Sequence, residues 1–338
     1  MANKTERKHA RYPKIRKEPW SVLEAAVFAL AVVFALMITW NGVAAVVRSI
    51  QADIEAQQAS DAESEPYYLT FIRGVWDAAV GNTDEDSEGS EAAPETEYDT
   101  TVDISAYAND TGYAGQLYQL KDEYDQVYTI LAHYDEIPER LIRLALNNHE
   151  TMDYVAQYVT LKDVTQTIDL SAEAKSETVP LLLQWDTRWG YETYGSGLVG
   201  YTGCGPTCIA MVALYLTGDT DWDPGAVAAW ADSAGYYVEG SGTAWTLMSE
   251  GCEHFGIEAT ELTLSESIVA EHIAAGEPII CSVGPGDFTS DGHYIVLTGY
   301  EDGVFTLNDP NSRERSSQTW TWSQLSGQIK NLWAYTVQ

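Results

Sequence analysis

Positive charge is scarce in this chain. Lysine and arginine number 18 against 51 aspartates and glutamates in 338 residues, a formal net charge of −33. Such a chain repels a phosphate backbone and has few cations with which to displace its counterions, so nucleic acid is excluded as a partner. Cysteine is also scarce, and four residues cannot staple a disulfide-built scaffold of this length. No GxxxxGK[ST] phosphate loop occurs, so nothing supports nucleotide-driven export by the chain itself. Metal-ligand spacing is missing too: Cys252 and His254 lack further ligands nearby, and His133 and His149 stand unpaired. No cofactor is expected. Apolar residues, at 45%, are plentiful enough for a packed core.

The few cations are concentrated at the start. Residues 1–20 hold seven cations and two anions, so the remainder carries −38. The run from Ala25 to Val47 has no charge over 23 residues, against the roughly 20 apolar residues that cross a bilayer as a helix. It is longer than the apolar region of a cleaved signal peptide and is followed at once by Arg48. The basic flank and the interfacial Trp20 and Trp40 predict a single-pass cell-membrane protein, N-terminus cytoplasmic and the bulk outside. From Gln51 to Thr100 fourteen acids face one cation, Arg73, which reads as a solvated, self-repelling spacer. The expected order is a basic cytoplasmic tail (1–20), an anchor (21–48), an acidic flexible linker (49–110), a helical segment (111–172) and a further domain (178–338).

Leu117, Leu120, Tyr124, Tyr128 and Leu131 recur at helical spacing. Pro138 suits a helix start, and Met152, Val155 and Tyr158 suit a third short helix. Beyond Thr178 the chain turns to β-like runs at Pro180–Leu183, Glu277–Val283, His293–Tyr300 and Val304–Asn308, the last two joined by a Glu-Asp-Gly turn. Helical stretches are expected at Thr207–Leu216, Asp223–Ala234, Ala244–Phe255 and Glu266–Ala275. Helices followed by an antiparallel sheet predict an α+β fold.

The most informative string is Gly203-Cys204-Gly205-Pro206-Thr207, followed by an apolar helical run. Pro206 presets a first helical turn, which places Cys204 at a helix N-terminus, where the dipole and free N–H groups favour a thiolate. The flanking glycines leave room for a substrate backbone. A nucleophile of this kind needs a base and an orienter. His293 opens one strand and Asp309 follows the next, 16 residues on, so a hairpin turning near residue 301 brings them together. Gln184, 20 residues before Cys204, is the candidate oxyanion donor, together with the Cys204 backbone N–H. Cys208 and Cys281 read as small core residues, and a bridge from Cys252 to either of them is open on sequence alone.

The order Gln184, Cys204, His293, Asp309 resembles papain-like cysteine peptidases. The segments QWDTRWGYETYG, GYTGCGPTCIAMVALYLTG, GTAWTLMSEGCEHFGI and SDGHYIVLTGYEDGVFTLNDPNS together resemble the bacteriocin-processing, double-glycine-leader peptidase family, in its stand-alone extracytoplasmic branch. The resemblance covers about residues 178–338. It implies a papain-like fold, with a helical part packed on an antiparallel sheet. It also implies Cys204 as nucleophile, His293 as base, Asp309 as orienter and Gln184 as oxyanion donor, acting on a peptide or protein substrate through a thioester. The stretch IPERLIRLALNNHETMDYVAQY resembles the helical piece found just upstream of such domains and carries no catalytic residue in them. The alternatives are a cell-wall peptide amidase or endopeptidase, sharing the chemistry, and a non-catalytic binding module on the same fold.

Overall fold

A computed structural model describes residues 96–338. The anchor expected at 21–48, the basic tail and most of the acidic linker lie outside the described residues. Among the described residues no helix is long and apolar enough to cross a membrane. The packed part begins within the segment read as linker: Ile104 is buried, and the Tyr98 hydroxyl donates to Asp153 at 2.7 Å.

The helical periodicity of 116–158 is divided among short helices: α1 (Tyr113–Gln119), α2 (Gln126–Ala132), α3 (Glu139–Asn147) and α4 (Met152–Ala156). The single repeat through Leu117, Leu120, Tyr124 and Tyr128 is interrupted at Lys121–Glu123, a charged stretch with nothing to bury, and the chain turns there. Leu117, Ile130, Leu141 and Val155 close one cluster, but Leu183, Trp185 and Tyr191 belong to the same cluster. Tyr154 and Tyr191 stack at 4.6 Å, Tyr191 Oη donates to the Tyr154 carbonyl and Tyr154 Oη to the Gly190 carbonyl, both at 2.6 Å. Residues 111–172 and 178–338 are thus one compact unit sharing a core.

Further along lie α5 (Val199–Thr202), α6 (Cys204–Thr217), α7 (Pro224–Ser233), α8 (Trp245–Ser249) and α9 (Glu266–Ala274). Helix α6 is buried from Gly205 to Leu214, because its sequence is apolar on every side. It ends where Gly218 takes a left-handed φ of 70°. Asp223 caps α7, accepting from the N–H groups of Gly225 and Ala226. The helix expected over Ala244–Phe255 loosens into a 3₁₀ turn from Gly251. A Cβ at Gly251 would stand 2.8 Å from the Tyr236 ring, so that ring packs where only glycine fits.

Six antiparallel strands form the sheet: β1 (Ile257–Glu261), β2 (Ile279–Val283), β3 (His293–Glu301), β4 (Val304–Asn308), β5 (Trp320–Thr321) and β6 (Ile329–Val337), in the order β1-β6-β2-β3-β4-β5. One face, with Ile280, Tyr294, Val296, Trp333 and Tyr335, packs in the α6 core. The other, with Ile279, Cys281, Ile295, Leu297 and Leu332, packs in a second cluster that takes in Val269 of α9. Pro180–Leu183, read as a strand, is extended without a ladder and is tied to the 308–310 segment: Asn308 Nδ2 donates to the Val179 carbonyl and the Gln184 N–H to the Pro310 carbonyl.

The β3–β4 hairpin turns on two residues, Asp302 and Gly303, with φ of 51° and 84°, the signature of a type I′ turn. Glu301 therefore pairs with Val304 and Gly299 with Thr306, but Leu297 pairs with Leu307. One extra residue, Thr298, is accommodated on β3 as a bulge.

Candidate active site

Cys204 is the first residue of α6, with Gly203 at its N-cap. Both neighbouring glycines are required by contact. A Cβ on Gly203 would lie 2.6 Å from the Val199 carbonyl oxygen, and one on Gly205 would lie 2.6 Å from Thr243 Oγ1. Thr243 is itself buried and fixed: its hydroxyl meets Tyr194 Oη at 2.9 Å, and its carbonyl accepts from Tyr294 Oη at 2.9 Å. The thiol is half-buried and stands on the wall of a cleft of about 580 Å³ whose lining also includes His293, Trp245, Tyr201 and Gly284. Trp245 is 47% exposed there, while its Nε1 donates to Ser282 Oγ at 3.1 Å.

His293 begins β3 and is 8% exposed. Its Nε2 lies 2.7 Å from Asp309 Oδ1. An ionised carboxylate only accepts, so Nε2 carries the hydrogen and Nδ1 is left for Cys204. Burial works against charging this ring, but the Asp309 carboxylate, and then the adjacent Cys204 sulfur, outweigh it and raise the imidazole to about 10. Asp309 is fully buried. Burial would push its carboxyl up, yet His293 and then Arg315 hold it below the usual carboxylate range.

The hairpin brings His293 and Asp309 together by a register that differs from the expected one. Carried one residue past Asn308, the pairing sets Asp309 across from Ile295, so it meets His293 diagonally on the same face. Without the bulge at Thr298, the pairing near the turn would place Asp309 across from Val296, on the opposite face from His293.

Gln184, the expected oxyanion donor, is tied to the segment that leads into Cys204. It is buried, its Nε2 donates to the Gly200 carbonyl at 3.0 Å, and its Oε1 has no partner among the described residues. It touches the segment just ahead of Cys204 but is not among the residues that line the cleft.

Two contributors are absent from the sequence reading. Arg315, in the helical turn α10 (Arg313–Ser316), donates from Nε to Asp309 Oδ2. Asp309 Oδ1 also accepts from the Asn311 N–H at 2.8 Å, and the Asp309 N–H donates to Ser316 Oγ at 2.8 Å. The dense polar run NDPNSRER is the signal that could have drawn attention to this turn. Arg140, on α3, lines the cleft over the Tyr201 ring at 5.6 Å, and nothing in its sequence context marks it. All four cysteines are free, with Cys208, Cys252 and Cys281 buried. Burial raises the thiols of all three, Cys252 to about 12. Among the described residues, no group of three or more His, Cys, Asp or Glu is placed to hold a metal.

A thiol at the head of a buried helix, against an imidazole held by a buried carboxylate, is the layout of a papain-like cysteine peptidase. Residues 176–338, just under half of the chain, match the model of the family described as the Peptidase_C39 like family. This match agrees with the resemblance to cysteine peptidases read from the sequence over nearly the same residues. Two solved structures are similar to it. The peptidase domain of Streptococcus ComA, a bi-functional ABC transporter involved in a quorum sensing pathway, is 18% identical. That match covers 47% of this chain and 98% of that one, with a TM-score of 0.34. A Bacillus anthracis chain described as a C39-like peptidase is 19% identical over the same shares, with a TM-score of 0.28. No curated protein matches the chain.

Proposed function

We propose that the chain cleaves peptide bonds with Cys204 as nucleophile, His293 as general acid and base, and Asp309 as the group that orients His293. The observation that carries this reading is the buried His293–Asp309 pair beside a cysteine at a helix N-terminus. The Cys204 sulfur attacks the scissile carbonyl carbon, and the carbonyl electrons move to its oxygen. The oxyanion is met by the N–H groups at the start of α6, which have no intrahelical partners. The second hydrogen of the Gln184 amide, not used by Gly200, is the side-chain donor in this reading. His293 gives its proton to the leaving amine, and the thioester forms as the C–N bond breaks. A water oxygen then attacks the thioester as His293 takes a proton from that water, and the C–S bond breaks to release the acid and restore the Cys204 thiolate beside the His293 imidazolium.

A peptidase inside an anchored chain acts where its domain is placed. The +5 flank ahead of the uncharged run supports a cell-membrane protein whose catalytic domain lies outside and whose substrate is an extracytoplasmic peptide or protein. The test is a peptide library exposed to the full chain and to its Cys204→Ala variant, with products read by mass spectrometry. Discrete cleavages with the native chain and none with the variant are expected. Cleavage that survives Cys204→Ala would overturn the assignment.

A further inference from the structure

The turn that holds Asp309 is gripped from outside the peptidase domain. Glu150 lies in a 3₁₀ turn, His149–Thr151, between α3 and α4. Its Oε1 accepts from Ser312 Oγ at 2.6 Å and from the Glu314 N–H at 3.3 Å, and its Oε2 accepts from the Arg313 N–H at 2.8 Å. Two residues earlier, Asn148 Nδ2 donates to the Asn311 carbonyl at 2.6 Å, and the same carbonyl accepts from Trp185 Nε1 at 3.1 Å. The Arg313 guanidinium stacks over the Trp185 ring at 4.5 Å. Every residue from Asn311 to Glu314 is thus bound by the helical segment or by Trp185, which packs in that segment's core.

This grip leads directly to the reacting groups. Glu150 holds the first turn of α10; α10 carries Arg315; Arg315 holds one oxygen of Asp309, and the other oxygen holds His293. Asp309 needs such restraint because it follows the last residue of β4 and has no ladder partner on β3. The carboxylate of Glu150 fits the task better than a neutral group, since three donors converge on it and a carboxylate only accepts.

We infer that Glu150 is a positioning residue of the catalytic centre, and that the helical segment ahead of the peptidase domain is a working part of it. This rests on the Cys204–His293–Asp309 reading above. Against His293 stand Asp309 and Cys204, and Arg140, Glu239, Asp291 and Lys330 line the same cleft; behind Asp309 stands Arg315, and behind the turn stand Glu150 and Glu314. Freeing the turn lets Asp309 move off His293, so the imidazolium loses support and gives up its proton at lower pH. A contact serving only stability would lower the folded fraction and leave that titration in place.

The test uses the full-length chain and iodoacetamide, which needs no substrate. Cys204 alkylation is followed against pH by mass spectrometry in the native chain and in Glu150→Ala, Glu150→Gln and His293→Ala variants. The native profile is expected to show an inflection that His293→Ala abolishes. Glu150→Ala should weaken the thiolate–imidazolium pair, move the rise in Cys204 alkylation to higher pH and slow neutral-pH alkylation by about tenfold, the factor that ~1.4 kcal/mol produces. Glu150→Gln keeps one acceptor and should fall between; it also carries the test if the alanine variant does not fold. A folded Glu150 variant with the native inflection and rate overturns the inference and leaves the catalytic reading intact. A native chain with no His293-dependent inflection overturns both.

Discussion

Replacing Asp309 by Asn changes few atoms and poses a specific conflict. Three donors converge on this carboxylate: His293 Nε2 and the Asn311 N–H on Oδ1, and Arg315 Nε on Oδ2. An amide has one acceptor. Keeping its oxygen toward His293 and Asn311 satisfies two donors and turns its NH₂ against Arg315. Breaking a buried ion pair from one side costs about 3–5 kcal/mol. The Arg315 side chain is 25% exposed and can partly rehydrate, so about 2–3 kcal/mol is the expected loss in stability. At 2–4 °C per kcal/mol for a domain of this size, the thermal midpoint should fall by roughly 5–10 °C. Catalysis should suffer separately, because the imidazolium loses its counter-charge. Loss of the orienter in a serine triad costs ~10⁴; with the imidazole hydrogen bond retained, a fall of about 10²–10³ in kcat/KM is expected. The two effects separate in Asp309→Asn/Arg315→Gln, where the donor conflict is relieved. That variant should regain stability and stay slow. Measuring kcat/KM on a cleaved peptide alongside thermal midpoints for both variants checks this. Full activity in Asp309→Asn, or activity that returns with stability in the double variant, would refute the orienting role.

Gly205→Ala should hurt both folding and the site, since its Cβ would stand 2.6–2.7 Å from three atoms of Thr243. Overpacking of this kind costs about 1–3 kcal/mol, and calorimetry should show a lowered midpoint together with slower Cys204 alkylation. Stability should also depend on pH through the buried pair. Because His293 is raised, its contribution is complete below the ordinary histidine value of ~6.5 and is lost as pH rises toward about 10. Asp309 is lowered, so its contribution is present above ~3.9 and lost as pH falls through its folded value. The difference in unfolding free energy between the native chain and His293→Ala should therefore shrink across the alkaline window; a constant difference would contradict the pairing. Protease added to intact cells should digest the catalytic domain and spare the first 20 residues, and protection of the domain until lysis would count against the proposed topology.

Local chemistry is what a sequence states openly, and that is where it was most informative here. The Gly-Cys-Gly-Pro string, the fully apolar run after it and the β-branched run after His293 each depend on neighbours a few residues away, so the α6 start, β3 and β4 were legible. Strand β6 was not: Trp333 and Tyr335 enter one core and Leu332 and Ala334 the other, so no alternation survives to mark a strand. The hairpin was foreseen as a means of joining His293 to Asp309, but not the Thr298 bulge that puts the two side chains on one face. A bulge depends on how β3 lies against its neighbours, and its sequence, Leu-Thr-Gly, announces nothing. The same holds for Arg315, Arg140 and Glu150. Their residue types are ordinary for a surface, and they matter only because the helical segment folds back onto the peptidase domain through Trp185, Tyr191 and the Asn311–Glu314 turn. By itself the sequence determined the candidate nucleophile, its helix and the α+β class, because each follows from short-range pattern. Tertiary structure alone decided what restrains the turn after Asp309, because the contacts of Glu150 with Ser312 and Arg313 join residues more than 160 positions apart.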